Sequence, residues 1–132
     1  MNTLSATVTT IENSSHLCAL GVSYGKDLFE LILVETSSLQ SGDVVTLVFK
    51  ETEVILEKSS GQASSANTQK GIIESIESGI VLTSVTLAYH DISIVSLITT
   101  NAYKRLELSL GDEVVWMVQP SEISLLRGHD GV

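Results

Sequence analysis

Apolar residues recur along this chain in short runs with the alternating period of strands, not the 3.6-residue period of helices. In the first half, residues 4–11, 17–22, 28–34, 44–49 and 52–56 are apolar or alternating. Turn-forming stretches such as 23–27 and 41–43 separate them. In the second half, residues 72–76, 80–89, 92–98, 114–118 and 122–126 follow in the same order, with His90-Asp91 as a tight hairpin. Before the fourth strand of this half, Thr99 or Thr100 caps a short helix that carries Ala102, Tyr103 and Leu106 on one side.

The two halves are copies of one pattern. Residues 2–12 lie over 67–77 at an offset of 65, with Asn2/Asn67, Thr3/Thr68, Ile11/Ile76 and Glu12/Glu77 identical. Residues 42–56 lie over 111–125 at an offset of 69 and keep Gly42/Gly111, Asp43/Asp112, Val45/Val114, Glu53/Glu122 and Leu56/Leu125. Two blocks in the same order mark a tandem repeat. Residues 59–66 hold no large apolar side chain and read as a flexible linker. The expected organisation is a first repeat over 1–58, the linker 59–66 and a second repeat over 67–127. Five short strands per repeat imply an all-β chain of two small OB-like barrels, each with one short helical turn.

Composition agrees. Val, Ile and Thr supply 37 of the 132 residues, and charged residues are only 17%, against about 25% in an average soluble domain. Sixteen acids against seven Lys and Arg give a net charge of -9. Such a field repels phosphate backbones and anionic headgroups, so neither nucleic acid nor a membrane surface is the expected partner. No apolar run approaches the roughly 20 residues of a membrane helix, and the first residues lack the pattern of a signal peptide. Cys18 is the single cysteine and excludes an internal disulfide, so a cytoplasmic setting is expected. Runs 44–49 and 114–118 are apolar on both faces, which predicts that the other repeat or a second copy covers them. A homo-oligomer, dimer or trimer, is expected.

No Ser/His/Asp set, phosphate-binding glycine loop or paired carboxylates outside turns and strand edges are present, which excludes an enzyme from the expectation. His16, His90 and His129 lack metal-ligand spacing with one another or with Cys18.

The order Asn-x-x-x-Gly, an alternating strand, a Thr/Ser turn, Gly-x-x-Val and a closing Lys-x-Ser/Thr-Asp/Glu-Val resembles the molbindin (Mop-like, TOBE) domain. Here these stretches are Asn67 to Gly71, 98–108, Gly42 to Val45, and 49–54 with 118–123. The resemblance spans nearly the whole chain twice. It implies a tandem di-domain protein that binds molybdate or tungstate, with no organic cofactor, for storage or homeostasis. The alternative is a degenerate TOBE-type interaction or sensor module, associated with a transporter or regulator and without anion binding.

The resemblance also implies a ligand set. Ser64 takes the place of a family Ser and Ala66 that of an Arg, while Thr99 matches the turn Thr and Ala102 replaces a Ser. In the first repeat Leu33 stands for the Thr and Thr36 for the Ser, and Lys50 and Thr52 match the closing motif. In the second, Gln119 replaces the Lys and Ser121 stands for Thr52. Neither repeat keeps the full set, so the expected oxyanion ligands, Lys50, Thr52, Thr36, Ser64, Thr99 and Ser121, form a site only if the repeats pool them. The chemistry fits. Molybdate is a fully ionised dianion at neutral pH, so hydroxyl and N–H donors plus one cation satisfy it, and an acceptor carboxylate excludes it.

The same residues have plainer readings. Lys50 can guard a strand edge, Ser64 is a linker serine, and Thr99 is a helix cap. Asn2 and Asn67 satisfy backbone groups where strands begin, and Trp116 and Met117 belong to a core or an interface.

Overall fold

A computed structural model of the chain describes residues 1–34, 38–58 and 67–126. The expected linker 59–66, with Ser64, lies outside the described residues, and so does Thr36. The elements in chain order are β1 (Asn2–Ser14), β2 (Leu17–Tyr24), β3 (Asp27–Leu33), β4 (Val44–Phe49), a 3₁₀ turn (Glu51–Glu53), β5 (Ile55–Glu57), β6 (Thr68–Ser78), β7 (Leu82–Tyr89), β8 (Ile92–Thr99), α1 (Thr100–Leu106), β9 (Glu113–Met117), a second 3₁₀ turn (Pro120–Glu122) and β10 (Ser124–Leu125).

Two compact units contain these elements, and neither is a contiguous repeat. Among the described residues the first takes 1–49, Asn67 and 119–126, and the second takes 50–58 and 68–118. The first is an antiparallel sheet in the order β10-β4-β1-β2-β3, and the second is one in the order β5-β9-β6-β7-β8. The fifth strands are exchanged. β5, from the first half, pairs with β9 through Ile55–Met117 and Leu56–Trp116. β10, from the second half, pairs with β4 through Ser124–Val48 and Leu125–Leu47. At the offset of 69 these are the same pairs, so each unit is a five-stranded OB-like sheet completed by the other half of the chain.

Alternation sets the burial. Asn2, Leu4, Ala6 and Val8 of β1 point inward while Thr3 and Ser5 are exposed. Leu20, Val22, Leu31 and Leu47 join this core in the first unit, and Ile73, Val85, Leu87, Ile94 and Trp116 form its counterpart in the second. Trp116 meets Tyr89 edge-on, with ring centroids 5.1 Å apart, an arrangement that suits the ring quadrupoles.

Both copies bend at the same place. The β1–β2 register shifts between Val8 and Thr10, and the β6–β7 register shifts between Ile73 and Ser75. Just before β4, Gly42 donates to the Val8 carbonyl and Asp43 accepts from the Val8 amide; Gly111, Asp112 and Ile73 repeat this. Gly42 and Gly111 have φ of 98° and 86°, a conformation that side chains resist. The Asp43 carboxylate accepts from the Gln40 amide at 2.9 Å and that of Asp112 from Ser109 at 3.0 Å.

Three details differ from the sequence expectation. The fifth strands begin later than 52 and 122, because a 3₁₀ turn occupies their first residues. β7 begins at Leu82 instead of Ile80, since the Gly79 amide closes a turn on the Leu82 carbonyl. The apolar run 114–118 is buried on both faces within one chain, with Trp116 at 0% and Met117 at 8% exposure. It therefore calls for no second copy to cover it.

Candidate functional site

The second unit gathers three of the expected ligands. Lys50 opens the first 3₁₀ turn in extended conformation, φ -75° and ψ 149°. Its carbonyl accepts from the Glu53 amide at 3.0 Å, and the Glu51 carbonyl accepts from Val54 at 3.3 Å. This turn, which carries Thr52, packs against β8. The contact is tied by Ser96, wholly buried in the middle of β8, whose hydroxyl donates to the Val54 carbonyl at 2.7 Å.

Three residues further along, β8 ends at Thr99. The Thr99 hydroxyl accepts from the Ala102 amide at 3.0 Å and caps α1, as the sequence predicted. A hydroxyl that accepts once retains its own proton to donate. Lys50, Thr52 and Thr99 are all exposed. Lys50 is also the one cation of its turn, which otherwise carries the acids Glu51 and Glu53.

Behind the helix start runs a chain of hydroxyls. Thr100 donates to the Gly79 carbonyl at 2.8 Å and meets the Thr83 hydroxyl at 2.9 Å, which meets Ser78 at 3.2 Å. With the Thr100 proton committed to Gly79, the direction is fixed: Ser78 donates to Thr83 and Thr83 to Thr100. The Thr100 amide adds a bond to the Val81 carbonyl. The segment that presents Thr99 is thus held from below.

The first unit has the same backbone with other side chains. Its 3₁₀ turn opens at Gln119, φ -67° and ψ 142°, and packs against β3. The Gln119 carbonyl accepts from the Glu122 amide at 2.9 Å, and Ser121, the fourth expected ligand, is exposed on this turn. The hairpins correct one alignment. Tyr24 pairs with Asp27 and Tyr89 with Ile92, so Val34, not Leu33, is the counterpart of Thr99, and Leu31 is that of Ser96. Val34 is 73% exposed and has no hydroxyl to offer.

Asn67 behaves as expected of a backbone partner. Its side-chain amide donates to the Glu30 carbonyl at 2.9 Å and accepts from the Glu30 amide. Ser96 was missed by sequence reasoning. The available signal was a serine at an inward position of an alternating strand, where its partner repeat has leucine. Among the described residues no cluster of His, Cys, Asp or Glu could hold a metal, and no helix is long and apolar enough to cross a membrane.

Comparison with known proteins gives these features a context. Residues 63–125 match the TOBE domain family. A crystal structure of the cytoplasmic molybdate-binding protein ModG, a PEG-grown form with molybdate bound, has the same fold, with a TM-score of 0.88 and 25% identity over 94% of each chain. Residues 63–125 are thus similar to a TOBE domain. The TOBE segment takes in β6 to β10 and so follows the sequence repeat, crossing from the second compact unit into the first. No curated protein sequence matches the chain.

Proposed function

We propose that this protein is a cytoplasmic, non-enzymatic binder of molybdate or tungstate that serves storage or homeostasis of the oxyanion. The observation that carries the reading is the fold shared, end to end, with a protein crystallised with molybdate bound. The reading draws support from Lys50, Thr52 and Thr99 all belonging to the second compact unit. A lysine and hydroxyl protons are the donors a tetrahedral dianion requires, and charge-assisted bonds are the stronger kind. In a chain of net charge -9 the cation of that turn supplies attraction that the net field does not.

The binder is proposed to act as a homo-oligomer, dimer or trimer, and to bind neither nucleic acid nor membrane. Val44, Ile80 and Val81 are 64%, 97% and 72% exposed, apolar positions of the kind a second copy covers. Light scattering of the purified chain tests this, and a 14.1 kDa particle at micromolar concentration counts against it.

A second reading, an interaction or sensor module without anion binding, draws on the first unit, where Gln119 and Val34 replace the cation and the capping hydroxyl. Calorimetric titration separates the two. Molybdate and tungstate should bind below millimolar concentration, whereas phosphate, which keeps a proton at neutral pH and needs an acceptor, should not. Absence of heat with either metallate favours the module.

A further inference from the structure

We infer that Ser96 is the positioning residue of the Lys50 turn, and that among the described residues it makes the second unit the anion-bearing one. This rests on the oxyanion reading above. The two 3₁₀ turns are backbone twins, each opening on an extended residue whose carbonyl accepts from the amide three positions on. Backbone shape alone therefore does not distinguish them. What differs is the strand beneath.

In the second unit Ser96 is 0% exposed and donates at 2.7 Å to the Val54 carbonyl, where the turn ends. In the first unit the same place on β3 is held by Leu31, also 0% exposed, which has no proton to donate. The tie fixes the turn's end relative to β8, and Thr99 lies three residues along that strand, roughly 10 Å at 3.3 Å per residue. Ser96 thus couples the segment bearing Lys50 and Thr52 to the one bearing Thr99, without touching the anion itself. The unit that has the lysine has the tie, and the unit with Gln119 has neither.

The test uses the full chain and sodium molybdate. Ser96→Ala should weaken binding about tenfold, the scale of one neutral hydrogen bond lost to positioning, and should speed amide exchange at Glu53 and Val54. Ser96→Thr, which restores the hydroxyl, should recover at least part of both. Ile94→Val, which thins the same strand's buried face and removes no hydrogen bond to the turn, should lower the melting temperature and leave affinity unchanged. Parental affinity in Ser96→Ala, or an equal loss in Ile94→Val, overturns the inference. If the parent binds no molybdate, the oxyanion reading falls, and with it the assignment of the anion to the second unit. The exchange rates at Glu53 and Val54 then decide the positioning role alone, which unchanged rates overturn.

Discussion

Asn67 and Glu30 form a two-point pair in which one side-chain amide stands in for a neighbouring strand. The amide nitrogen donates to the Glu30 carbonyl at 2.9 Å and the amide oxygen accepts from the Glu30 N–H. β3 is an edge strand of its sheet, and such strands expose backbone groups that invite unwanted pairing. Asn67, itself fully buried, satisfies one residue of that edge.

Asn67→Ala should therefore destabilise the chain by about 1 to 3 kcal/mol, since it strips partners from part-buried backbone groups. Asn67→Asp should do no better, because a carboxylate has no proton for the Glu30 carbonyl. Urea unfolding of the two variants checks this; an Asp variant as stable as the parent contradicts it.

The two threonines at the start of α1 should respond differently. Thr99→Val removes an exposed cap and should cost about 1 kcal/mol. Thr100→Val removes a buried hydroxyl, leaves Gly79 and Thr83 without their partner, and should cost more, about 1 to 3 kcal/mol. Thermal melts of both rank them, and the reverse order refutes the hydroxyl chain.

Lys50→Ala should weaken molybdate binding by about ten- to a hundredfold, since a hydrogen bond from a charged donor is worth roughly 1.5 to 3 kcal/mol. Stability should hardly change, as expected of an exposed side chain. Gln119→Lys should leave the existing site untouched. Calorimetry on each variant reports affinity and stoichiometry, and parental affinity in Lys50→Ala removes the lysine from the site.

The exchanged fifth strands make a prediction about fragments. Residues 1–58 alone hold β5 without β9, and residues 59–132 alone hold β10 without β4. Neither should show the near-ultraviolet signature of a packed Trp116, whereas an equimolar mixture should. A native-like signal from the second fragment by itself refutes this.

Much of the fold was legible because strand alternation is local. The hairpin at His90-Asp91 and the Thr99 cap rest on neighbouring residues, and the structure has both where the pattern put them. The exchange of β5 and β10 was not legible. Thr46, Leu47 and Val48 repeat the alternation of Val115, Trp116 and Met117, so either fifth strand satisfies either sheet, and no local preference names the partner. For the candidate site, Lys50, Thr52 and Thr99 were found by motif order. Ser96 escaped because its importance lies in a carbonyl 42 residues away, and the Leu33 alignment slipped by one because the offset changes from 65 to 69 where the second repeat inserts α1 after β8.

The exchange also sets a timetable for the chain. A ribosome delivers residues in order, at roughly 5 to 20 per second, and β1 to β4 emerge first. Yet β4 pairs with β10 at Ser124 and Leu125, which are made only after β5 to β9. The sheet begun first is thus finished last, and the second, which needs only β5 to β9, can close while the first still waits with an open edge. Until β10 emerges the β4 edge is bare, and a neighbouring nascent chain offers it the same strand.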